Sequence, residues 1–128
     1  MYKMNIQPIY RFVLTAVVIF VVDLLWLSTG GPFALKVAEN IQGSRVTLNP
    51  YYAAIVYVFL AYLLQKTTSY TEAFFFGVCI YGVYDFTTLA IFRKYDIRFA
   101  LADTLWGGIL FVLSRYVLFQ LSKLGKIF

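Results

Sequence analysis

Three aspartates, Asp23, Asp85 and Asp103, stand inside long apolar runs of a chain that holds only six acidic residues. A carboxylate in hydrocarbon is costly, so it faces a helix-bundle interior or a wet cavity. Residues three and four apart share a helical face. Asp23 therefore stands with Ile19 and Trp26, Asp85 with Tyr81 and Thr88, and Asp103 with Trp106 and Gly107. Clustered acids in low dielectric repel one another, so at least one of them is expected to hold a proton near neutral pH and to exchange it there, for another proton or for a small cation. Asp85 is the first choice for the exchanging carboxyl, with Asp23 and Asp103 as partners and Tyr81, Tyr84 and Thr88 as hydrogen-bonding neighbours. Trp26 and Trp106 are packing anchors or the walls of a cation cage. Asn49, just before Pro50, brings an amide and a helix N-terminus toward the same layer.

The leading expectation is a proton- or cation-linked transporter or channel. Two carboxyls can also divide acid and base roles beside aromatic rings that steady a carbocation. That makes an intramembrane enzyme acting on a lipid or isoprenoid-like substrate the second reading, although the balance is against an enzyme. A structural or assembly subunit whose acids only lock the helices is the third. Asp23, Asp85, Asp103 and Asn49 would suit Mg²⁺, Ca²⁺ or Mn²⁺, but no second run of acids completes a shell, so no metal and no cofactor is expected. The chain lacks histidine and has one cysteine, Cys79, which excludes the usual zinc, haem and His-dependent nucleophile sites within one chain. Cys79 reads as a small buried apolar residue.

The elements that hold these residues follow from composition. Of 128 residues 62% are apolar and 13% charged, too few charges to clothe so small a globule in water. Lipid is the expected solvent. The net charge of +5 comes from Lys and Arg lying mostly between apolar runs, as membrane topology requires, so nucleic acid is not an expected partner. At ~1.5 Å per residue, spans are expected at about 8–28, 50–66, 72–92 and 98–121, forming a single all-α domain, a four-helix transmembrane bundle. The first run also has the basic start of a signal peptide, but Asp23, Trp26 and Leu27 interrupt its cleavage region, and a retained helix is expected. Between the first two spans, Pro32 at a helix start, Phe33, Val37 and Ile41 at helical spacing, and Gly43 at a helix end predict a short amphipathic interfacial helix.

Alternating spans carry the three acids to one depth, roughly 6–11 Å below the surface formed by the first and third loops. Lys3, Arg11, Lys66, Lys123 and Lys126 fall on the terminal side, and Lys36, Arg45, Arg93, Lys94 and Arg98 on the other. Arg115 is expected to snorkel to the terminal side and tip the termini toward the cytoplasm. Arg98 is within reach of Asp103 or a neighbour. A chain this short encloses little polar path alone, so a homo-oligomer in the bilayer is expected.

Four motifs run in order along the chain: Asp23-Leu24-Leu25-Trp26-Leu27, then Asn49 with Ala53 or Ala54, then Tyr81-Gly82-Val83-Tyr84-Asp85-Phe86-Thr87-Thr88-Leu89-Ala90, then Asp103-Thr104-Leu105-Trp106-Gly107. With these motifs the chain resembles the small four-span membrane proteins of the domain of unknown function 2177. The resemblance covers nearly the whole chain and implies a fold and a set of polar positions, with no activity to carry over. Thr88 stands where that family's pattern favours Asn.

Overall fold

The computed structural model describes residues 6–124; Lys3 and Lys126, assigned above to the terminal side, lie outside them. Among the described residues the chain is all-α. Its five helices are α1 (Gln7–Thr29), α2 (Gly31–Gln42), α3 (Pro50–Gln65), α4 (Tyr70–Ile91) and α5 (Ile97–Lys123). Helices α1, α4 and α5 are long and apolar enough to cross a membrane, and α3 is a shorter apolar helix of 16 residues. At ~1.5 Å per residue, α3 is about 24 Å long and α5 about 40 Å.

Local chemistry sets these limits. Pro8, Pro32 and Pro50 occupy first turns, where the missing N–H costs nothing. Asn49 caps α3 by accepting the Tyr51 N–H at 2.9 Å. Ser69 caps α4 by accepting from Glu72 N, while Glu72 reaches back to Thr68 N at 2.8 Å. Asp96 caps α5 through Arg98 N at 2.8 Å. The Arg98 side chain and N–H hold the Asp96 carboxyl below its ordinary range. Gly43 ends α2 in the left-handed region at φ 78°, as its place after the amphipathic run predicts.

Large apolar side chains lie outside as well as inside. Val83, Phe59, Phe75 and Leu25 are all more than half exposed, a surface suited to acyl chains. Cys79 is on this exposed surface as well, so its expected burial is corrected: its face of α4 is turned away from α5. The interior is narrow. Ile19, Ala61, Ala73, Leu110 and Phe111 are fully enclosed in the core shared by α1, α3, α4 and α5. A second cluster, Val37, Tyr95, Phe99 and Ala100, joins α2 to the α4–α5 turn.

The tightest joint is between α4 and α5, which run antiparallel through the short turn at 92–96. At their crossing Gly77 meets the Gly107 carbonyl, and Gly108 meets Phe74 and Val78, so a methyl group on any of these glycines would overlap its neighbour. Gly77→Ala is expected to destabilise the folded state by about 1–3 kcal/mol. Gly31→Ala, which would meet nothing within 4 Å, is expected to be near neutral. Unfolding titrations in mixed detergent micelles measure both.

Candidate functional site

Asp23 lies six residues before the end of α1 at Thr29, Asp85 six before the end of α4 at Ile91, and Asp103 six after the start of α5 at Ile97. The antiparallel arrangement brings all three to one level. Each is buried, Asp85 completely. At this common level Asp85 is the most enclosed of the three.

The Asp-x-x-Trp phrases of α1 and α5 pair across the helix interface. Trp26 Nε1 donates to Asp103 Oδ1 at 2.9 Å, and Trp106 Nε1 donates to Asp23 Oδ1 at 2.8 Å. The two indoles stack between these bonds, centroids 5.9 Å apart and planes 17° from parallel. Further along the same two helices Thr15 and Ile19 of α1 and Leu110 and Ser114 of α5 are buried. The tryptophans thus act as donors to carboxyls, and their rings pack on each other instead of facing each other across a cage.

Three further carboxyl oxygens are satisfied by residues outside the expected set. Tyr57 of α3 donates to Asp23 Oδ2 at 2.6 Å, so Asp23 accepts at both oxygens. Tyr95, from the α4–α5 turn, donates to Asp85 Oδ1 at 2.6 Å, and Thr104 donates to Asp85 Oδ2 at 3.3 Å. Burial first, and then the bond to Asp85, raise the Tyr95 hydroxyl well above its ordinary pKa, so it stays a proton donor. Asp103 accepts from Trp26 and lies against the carboxyl of Asp85. Tyr81 packs on Gly107 within electrostatic reach of all three acids and of Tyr57.

Aromatic rings close the site toward the turn. Phe99 stacks on Trp26 at 6.1 Å and meets Tyr95 edge-on at 6.0 Å, and Phe33 of α2 lies 5.8 Å from it. Val37 of α2 is buried in the same cluster, so α2 lies as a cover over the acid layer.

Other expected neighbours are elsewhere. Asn49 is exposed and spends its side-chain oxygen on the α3 cap. Thr88 donates to the Tyr84 carbonyl at 2.7 Å in its own helix, and Tyr84, 63% exposed, lies at the edge of the layer, within electrostatic reach of Asp85 and Asp103 but bonded to neither. Arg98 is mostly exposed and pairs with Asp96 at 3.0 Å, away from Asp103. These residues are close in sequence to the acids, but helix rotation and capping turn them aside. Among the described residues, no group of three or more Asp, Glu, Cys or His is placed to hold a metal ion. Tyr57 could have been found from its spacing, since it shares a helical face with the buried Leu60, Ala61 and Leu64. Tyr95 carried no such signal; only the tightness of the turn returns it to Asp85.

Over residues 8–119 the sequence matches the family model described as Predicted membrane protein (DUF2177). No curated protein and no solved structure matches the chain.

The reciprocal clasp is testable by a double-mutant cycle. Trp26→Phe and Asp103→Leu, which removes the acceptor at similar volume, are each expected to destabilise by about 1–3 kcal/mol. The double variant is expected to fall short of their sum by about 0.6 kcal/mol or more, as residues in direct contact do. Additive losses in micelle unfolding would show that the bond contributes nothing.

Proposed function

We propose the following function for a chain that belongs to the predicted membrane protein family of domain of unknown function 2177: a multi-pass, four-span bundle that carries protons or small cations through the Asp85–Asp103 pair. The observation that carries this reading is the contact between two buried carboxyls from different helices, one accepting from Trp26 and the other from Tyr95 and Thr104. Two carboxyls so placed suit one shared proton, or one cation in its place. Asp103, with a single donor, is the exchanging member. Asp85 is its partner, which revises the first choice made from sequence. Asp23 accepts at both oxygens and acts as the structural anchor between α1, α3 and α5.

In this reading α3 completes the fourth span, tilted little or in thinned bilayer. The termini and the α3–α4 turn lie on the cytoplasmic side. The α2 cover and the Phe99 cluster separate the acid pair from the opposite surface, so exchange there requires α2 to move. A homo-oligomer extends the polar path that one chain is too small to enclose.

Proteoliposomes enclosing a pH-sensitive dye test the assignment. Asp103→Asn and Asp85→Asn are each expected to slow proton- or cation-coupled flux by about a hundredfold or more, while Asp96→Asn, in the exposed turn, leaves it unchanged. Equal flux in all three variants and the unmodified protein would refute the proposal. A new lipid product in cells making the protein, without flux, would favour the enzymatic reading instead.

A further inference from the structure

A second polar feature lies at the opposite end of the helices. Arg115 is eight residues before the end of α5 at Lys123, and it reaches out to the α3–α4 turn. Its Nη1 donates to the carbonyl and hydroxyl oxygens of Thr67 at 3.0 and 3.1 Å. The guanidinium also lies over the Tyr70 ring, 5.5 Å from its centroid. The expected snorkelling thus takes the charge to the turn, but every partner it finds there is neutral. Among the described residues the one ion pair is Arg98 with Asp96, at the far end of the molecule. A guanidinium has five donors in a planar fork suited to phosphate oxygens, and both bonds to Thr67 use the same nitrogen.

Arg115 lines a cleft of about 450 Å³, a size within the usual range for small-molecule sites. Thr15, Gln65 and Ser122 add hydroxyl and amide groups, and Leu118 and Phe119 make an apolar wall. A polar pocket continuous with an apolar wall matches a headgroup joined to acyl chains. The surroundings favour an anion: Lys66 and Lys123 lie at this end, and its acidic residue, Glu72, is engaged by Thr68 N–H and hydroxyl at 2.8 and 3.4 Å.

We propose that this cleft binds the phosphate of an anionic lipid headgroup, with Arg115 as the recognising cation and an acyl chain laid along Leu118 and Phe119. The site is separate from the carboxyl layer and stands or falls independently of the transport reading.

Native mass spectrometry of the delipidated protein, titrated with phosphatidylglycerol, phosphatidylcholine or inorganic phosphate, tests it. Phosphatidylglycerol is expected to be retained about fivefold or more over phosphatidylcholine, the effect of one basic side chain near a membrane surface. Arg115→Gln is expected to abolish that preference. Ser122→Trp, which leaves Arg115 and Thr67 intact and obstructs the cleft, is expected to reduce it as well. Equal retention of the two lipids, or a preference that survives in both variants, would overturn the proposal. Retention of inorganic phosphate that displaces the lipid would assign the cleft to free phosphate and overturn the lipid assignment.

Discussion

The exchange of indole N–H groups between α1 and α5 sets the rest of the interior. Asp23 and Asp103 are carboxyls taken out of water, and each takes its donor from the other's helix. Neither bond can form unless the helices are antiparallel and in one register, because a shift of a single residue would turn both acids away from both tryptophans. A buried carboxyl without a donor is far more costly than a mispacked leucine. The clasp therefore selects the register, and the apolar seam of Ile19, Leu110, Val18 and Phe111 fills it.

The glycine contact between α4 and α5 has a matching role for the third acid. Close backbone approach at Gly77, Gly107 and Gly108 brings α4 near enough for Asp85 to take Thr104 as a donor and to meet Asp103. Packing in lipid relies on such fit, since apolar side chains gain little by leaving acyl chains for each other. Tyr95 then closes Asp85 from the turn. The same segment that reverses the chain also supplies the donor, so the acid layer and the α4–α5 turn form one structural unit.

The two ends of the molecule are chemically opposite. One holds buried carboxyls beneath an aromatic cover, the other a guanidinium held by neutral groups beside an open cleft. Negative and positive groups are kept apart along α5, from Asp103 to Arg115, a rise of about 18 Å. At that separation they do not neutralise each other by contact, so each polar end finds its partners locally.

Much of this architecture follows from the order of the amino acids. Its poverty in charge and its apolar runs required helices in lipid, Pro32 and Gly43 marked the limits of α2, and helical spacing put each Asp beside its Trp. The common level of the three acids was also legible, because depth in an antiparallel stack follows from residue counts. Tertiary structure alone decided which donor serves which acid. Asp23 and Trp26 share a face in sequence, yet each bonds across to α5, since neighbours on one helix point in parallel while hydrogen bonding requires groups that point toward each other. Tyr57 and Tyr95 entered the layer, and Asn49 and Thr88 left it, for the same reason: periodicity fixes a side chain's rotation about its own axis, and only the packing of other helices determines what that side chain meets.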